Sequence, residues 1–198
     1  MAIPLSKKEI QDRICQLIYR AETFLNWSSL LLDLYEKEWN SIHNSTKIQD
    51  NFINNPINNC ITLHQVLYFQ EAIIVLHSLL EKKKHPTEIS FSYYLANAGK
   101  GNLKKEIDDI REEYEATNLD KFRNRLIAHK QADSIGDPLI GYLNPVKRGY
   151  VDKACLIVKK IKSASSDILG LPANNFFRDF YNPSFEVLYK ACKSSLKN

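Results

Sequence analysis

The chain has 198 residues, 44% of them hydrophobic and 25% charged, with a net charge of +4. That is enough apolar material for one core with at most a small appendage, and it excludes collagenous, mucin-like and fully disordered classes. The mild net charge hides an asymmetry: residues 1–120 carry 13 Lys and Arg against 17 Asp and Glu, whereas residues 121–198 carry 14 against 6. A basic C-terminal third suits an anionic partner, although a solvated lysine-rich helix surface would give the same count.

The first ten residues hold Lys7 and Lys8 and then a polar helical pattern, not an apolar secretion core followed by small residues. No uninterrupted apolar run approaches the ~18 residues of a bilayer span, so no transmembrane helix and a cytoplasmic location are expected. Ser6-x-x-Glu9 makes a capping box ahead of Ile10, Ile14, Leu17, Ile18, Ala21, Phe24 and Leu25, which predicts a helix from about residue 6. Its stripe continues through Leu30, Leu31, Leu34, Tyr35 and Trp39 to about Asn44, as one long helix or two broken near 26–29. Residues 44–59, rich in Asn and containing Pro56, read as a loop or irregular crossing.

Thr62-x-x-Gln65 is expected to cap the next helix, apolar nearly all round from Val66 to Leu80 and therefore central and buried. Lys82, Lys83 and Lys84 suit its C-terminus, where carbonyl dipoles favour cations. Ser90 to Ala98 reads as a short helix whose aromatics belong to the core. Gly99-Lys100-Gly101 follows it but lacks the spacing of a phosphate loop. Asn102 can cap a charged surface helix through Leu103, Ile107, Ile110 and Tyr114. Asn118, Leu119 and Asp120 then open a helix anchored by Phe122, Leu126 and Ile127 and closed by Gly136-Asp137-Pro138. A turn-rich connection over 141–149, a helix over 151–169, a loop over 172–183 and a last helix over 184–194 complete the chain. No segment alternates as a strand does, so an all-α antiparallel bundle is predicted.

Cys15, Cys60, Cys155 and Cys192 are scattered and form no Cys-x-x-Cys, which suits free, mostly buried thiols. His43, His64, His77, His85 and His129 include no His pair at i, i+4 spacing, so no metal site and no cofactor are indicated. His64 and His77 are read as packing histidines.

Composition places the candidate chemistry in the decapeptide 121–130, Lys-Phe-Arg-Asn-Arg-Leu-Ile-Ala-His-Lys. An imidazole with an unperturbed pKa near ~6.5 can exchange protons at neutral pH, and guanidinium groups can hold a phosphate bidentately. On a helix Arg125 and His129 share a face, while Arg123 and His129 lie about 120° apart. The latter pair can meet one substrate if the guanidinium reaches around, if the helix starts near Asn124, or if a second copy brings its own motif alongside. A purely structural role is also open: His129 can cap helix-end carbonyls, and Arg125 can pair with Asp120 or Asp133.

The string Arg123-Asn124, further residues and then Ala128-His129, on a late helix of an α-bundle, resembles the HEPN superfamily, and within it the abortive-infection branch. In that family an Arg, commonly followed by Asn, His or Asp, precedes a His after four to six intervening residues. Residues 62–130 match the layout, and the likeness covers about the first 135 residues, leaving 136–198 as a basic C-terminal helical extension of a single helical domain. The resemblance implies a metal-independent ribonuclease of antiphage defence or a toxin system, working as a homodimer on RNA and held in check by an antitoxin or a nucleotidyltransferase partner in some systems. In that role His129 would act as general base or acid, Arg123 would stabilise transition-state charge, Asn124 would position the phosphate or His129, and Arg125 and Lys130 would track the backbone. The superfamily also includes modules that bind RNA or protein without cutting.

Overall fold

The computed structural model describes residues 5–41, 55–82, 89–98, 103–119 and 145–169, and every regular element among them is a helix. In chain order these are α1 (Lys7–Ser41), α2 (Pro56–Leu80), α3 (Phe91–Ala98), α4 (Lys104–Ala116) and α5 (Arg148–Leu169). The all-α expectation therefore holds among the described residues.

The capping box starts α1 as expected. The Glu9 amide donates to Ser6 Oγ at 3.3 Å, while Glu9 Oε2 accepts from the Ser6 amide at 2.7 Å. From there Ile10, Ile14, Ile18, Ala21 and Leu25 are buried at spacings of three and four residues, forming one apolar stripe. The helix runs unbroken across residues 26–29. Ser28, one of the polar residues that suggested a break, is fully buried and donates its hydroxyl to the Gln65 carbonyl at 3.1 Å. A tertiary bond thus accommodates a residue that a lone helix would expose.

The second helix starts six residues before Thr62. Pro56 occupies its first position, where a missing N–H costs nothing, and the Asn55 carbonyl accepts from the Asn59 amide at 3.1 Å. Thr62 and Gln65 are consequently interior residues, 1% and 0% exposed, and not a capping pair. Gln65 instead joins α1 to α2 by donating Nε2 to Ser28 Oγ at 3.0 Å. The contacts Phe24 with Tyr68 and Arg20 with Glu71 continue this pairing in reverse order along the two chains, so α1 and α2 are antiparallel.

The same logic sets α5 antiparallel to α1. Arg148 meets Asp33 and Glu36, Lys162 meets Glu22, and at the far end Gln11 Nε2 donates to the Leu169 carbonyl at 2.7 Å. Val151, Ala154, Ile157, Val158, Ile161 and Ile168 enter the same apolar cluster as the α1 stripe. Residues 148–169 are thus part of the core, and the helix begins three residues before the expected Val151, with Gly149 in its first turn.

Between these long helices, α3 is capped by Ser90, whose Oγ accepts from the Tyr93 amide at 3.2 Å, and buries Phe91 and Tyr94 completely. The cap of α4 is Leu103, with no side-chain bond, while Asn102 lies outside the described residues. Its Ile107, Ile110 and Tyr114 face the core, and Asp109, Glu112 and Glu115 are exposed. The acidic surface is as expected; Arg111, on the same helix, is 4% exposed.

Asn58–Leu80 of α2 is 23 residues long, with a mean hydropathy of 1.2, enough by length and composition to cross a bilayer. This departs from the expectation drawn from uninterrupted runs, because Gln65, Gln70, Glu71, His64 and His77 interrupt the run without lowering the average far. In the bundle half of that stretch is buried, chiefly against α1. Of the expected 44–59 loop, residues 56–59 are helical and 44–54 lie outside the described residues, as do 99–101, 172–183, the motif helix beyond Leu119 and the expected helix at 184–194.

Candidate functional site

Arg123, Asn124, Arg125, His129 and Lys130 all lie outside the described residues, as does the whole of 120–144. The structure describes the points between which that segment runs. At the near end, the Thr117 amide donates to the carbonyls of Glu113 and Tyr114, and its hydroxyl donates to the Tyr114 carbonyl at 2.5 Å. Asn118 follows with φ of 61°, the left-handed conformation that Asn tolerates better than most residues and that ends a helix. Leu119 comes next and is fully buried. The chain therefore leaves α4 at a helix stop, and the buried anchor Leu119 is already helical, in keeping with the expectation that a new helix opens at 118–120; Asp120 lies outside the described residues.

At the far end, the Val146 amide donates to Gln65 Oε1 at 2.8 Å, and Val146 is buried. Gln65 thus has its amide group bonded on both sides, to Ser28 and to Val146. A buried carboxamide with both ends satisfied fixes register better than apolar contact does, because a shifted chain would leave two polar atoms unpaired. Arg148 follows two residues later. Its Nη2 reaches Glu36 at 2.5 Å and Asp33 at 2.6 Å, and these carboxylates, Glu36 above all, raise its pKa further. The return from the motif is tied to the middle of α2 and to α1.

The basic third of the chain is partly neutralised where it is described. Arg148, Lys160 and Lys162 pair with acids of α1 and α4, while Lys153 and Lys159 are exposed. Exposed pairs of this kind contribute little stability, and their main effect here is to lower the positive potential along α5.

A cleft of about 500 Å³ opens between α3 and α4, lined by Lys82, Ser92, Leu95, Lys104, Asp108 and Glu112. Arg111 bonds two of these lining residues, Ser92 and Asp108. It donates to the Leu80 carbonyl, to Asp108, and to Ser92 Oγ at 2.9 Å. These partners occupy Nε and both terminal nitrogens, so the guanidinium joins three helices. The last carbonyl of α2 thus accepts from an arginine of a distant helix, while Lys83 and Lys84 of the lysines expected there lie outside the described residues.

Of the two described histidines, His77 packs its ring 6.4 Å from that of Tyr114, in keeping with a packing role. His64 lies nearer the surface beside Cys60, with Nδ1 3.5 Å from the sulfur. The thiols differ in setting. Burial, then Asp12, pushes the Cys15 thiol up to about 11, and burial also raises Cys155, with Asp152 adding to it. Cys60 is exposed, contrary to the expectation of mostly buried thiols, and Cys192 lies outside the described residues. Among the described residues no group of three or more His, Cys, Asp or Glu is arranged around a common metal position. No protein-family model matches the chain, and neither curated proteins nor solved structures include a significant match.

Proposed function

We propose that this chain is a metal-independent endoribonuclease of the HEPN type, acting in antiphage defence or a toxin–antitoxin system. The observation that carries the reading is the string Arg123-Asn124-Arg125-Leu126-Ile127-Ala128-His129 in an all-α protein. The described residues on either side of it are anchored in the bundle, at the buried Leu119 and at Val146, whose amide bonds Gln65 of α2. In the reaction His129 takes the proton of the ribose 2′-hydroxyl or returns one to the leaving 5′-oxygen. Arg123 stabilises charge on the phosphorane-like transition state, and Asn124 orients the phosphate or the imidazole. Arg125 and Lys130 hold the flanking backbone. A homodimer brings two motifs to one cleft, which removes the angular separation of Arg123 and His129 on one helix.

The test is incubation of the purified chain, and of its His129→Ala and Arg123→Ala variants, with labelled single-stranded RNA in excess EDTA. Cutting by wild type alone, leaving 2′,3′-cyclic phosphate and 5′-hydroxyl ends, is the expected result. DNA, lacking the 2′-hydroxyl, stays intact. RNA bound but uncut by all three proteins would overturn the nuclease assignment in favour of a non-catalytic binding module.

A further inference from the structure

A helix apolar nearly all round is normally covered nearly all round, yet α2 is buried on one side only. Phe69, Ala72, Ile73, Leu76 and Leu79 lie in the core, while Leu67 is 37% and Ile74 38% exposed, two of the three exposed large hydrophobic residues among those described. Cys60, also exposed, precedes Leu67 by seven positions, and Ile74 follows it by seven. Because a straight helix drifts only about 20° in seven residues, the three side chains form one row about 21 Å long. Leu63 and Tyr68, both half-buried, flank the row. Tyr68 carries the surface onto α1, stacking on Phe24 at 5.9 Å and meeting Trp27 edge-on at 5.0 Å.

Charge decides which partner this row fits. From residue 56 to residue 80 the chain has no Lys, Arg or Asp, and its one acid, Glu71, is held 3.0 Å from Arg20. A nucleic-acid backbone is gripped by cations, and a helix lying on a membrane flanks its apolar face with Lys and Arg; the row offers neither. A surface without net charge meets its own copy with no like-charge repulsion, and a two-fold interface requires a patch complementary to itself. Seven is also the repeat at which two helices pack side by side along their length.

We propose that α2 pairs antiparallel with α2 of a second copy of this chain, about a two-fold axis at Leu67. Leu67 then meets the partner's Leu67, and Cys60 lies opposite the partner's Ile74. The pairing takes out of water the apolar side chains that one copy leaves exposed. It rests on the homodimer of the proposed nuclease reading and deepens it, by naming the surface that joins the two copies.

Sedimentation of the full chain, kept reduced, compares wild type with Leu67→Lys and Leu67→Glu. Wild type is expected to be a dimer. Each variant sets like charges against each other on the axis, so its dissociation constant rises at least about 100-fold. An equal mixture of the two variants restores the dimer, because lysine then faces glutamate. Circular dichroism checks that both variants keep their helices. A monomeric wild type, dimers that persist in both variants alone, or variants that stay monomeric when mixed would each overturn the pairing. RNA cleavage is assayed separately: a dimer of this kind that does not cut sinks the nuclease reading and upholds the surface, while cutting by a monomer does the reverse.

Discussion

Arg111 bonds the last carbonyl of α2, the Ser92 hydroxyl of α3 and the Asp108 carboxylate one turn back, with only 4% of its surface exposed. Replacing it with methionine keeps the apolar stem and removes these charged hydrogen bonds, leaving the Leu80 carbonyl without this donor. The expected cost is about 2–4 kcal/mol in urea denaturation. Arg20→Ala, which breaks an exposed pair with Glu71, is expected to cost within about 1 kcal/mol in the same measurement. Glu9 shows a different dependence. Hydrogen bonds from the Ser6 side chain and amide hold its carboxyl below the ordinary range. The stabilisation from Glu9 is therefore complete above the ordinary carboxylate pKa and is lost as the pH falls through the lowered folded value. Thermal melts of wild type and Glu9→Gln should differ near neutral pH and converge in acid.

Within elements, positions with the same hydrophobic character differ sharply in environment. Phe69 is fully buried in α2 and Leu67, two residues earlier, is 37% exposed. Phe69→Ala is expected to cost about 3–5 kcal/mol, whereas Leu67→Ala, on the open face, should cost under about 1 kcal/mol. Chemical denaturation with matched m-values separates the two. The end of α4 depends on backbone conformation. At φ of 61°, Asn118 occupies a region that glycine enters freely and a β-branched residue strains to reach. Asn118→Gly should leave stability within about 0.5 kcal/mol, and Asn118→Val should lower it by about 1–2 kcal/mol. On the proposed nuclease reading, a shift in where the motif segment begins would lower RNA cleavage by the valine variant more than its loss of folded protein accounts for.

At the scale of the molecule, α1 is the spine against which α2 and α5 both run antiparallel, and α4 closes on α5 through Lys160 and Glu113. Among the described residues α5 supplies part of the apolar core cluster, so this stretch of the expected C-terminal extension is not an appendage to it. A chain ending at residue 147 would leave the α1 side of that cluster open to water, and the lost burial is a large share of a marginal net stability. Such a chain is expected to lose cooperative thermal unfolding by calorimetry, along with its near-ultraviolet dichroism.

Local chemistry was readable wherever the deciding interaction lies within a few residues. The Ser6 and Glu9 box, the short helix ending at Ala98 and the stripe from Ile10 to Leu25 are short-range features, and they stand where the local sequence put them. The string from Arg123 to His129 is equally plain in the sequence, and the chemistry proposed for it rests on that string. Tertiary structure decided the rest. Thr62 and Gln65 spell a capping box as well as Ser6 and Glu9 do, yet Pro56 had already begun the helix, and Gln65 was left to bond Ser28 and Val146, residues 37 and 81 positions away. Arg111 looked like one more charge on an acidic helix until packing brought Leu80 and Ser92 to it. Sequence periodicity states which face of a helix is apolar. Which polar side chains that face also buries depends on what the other helices offer them, because a buried polar group persists only where a partner from elsewhere in the chain satisfies it.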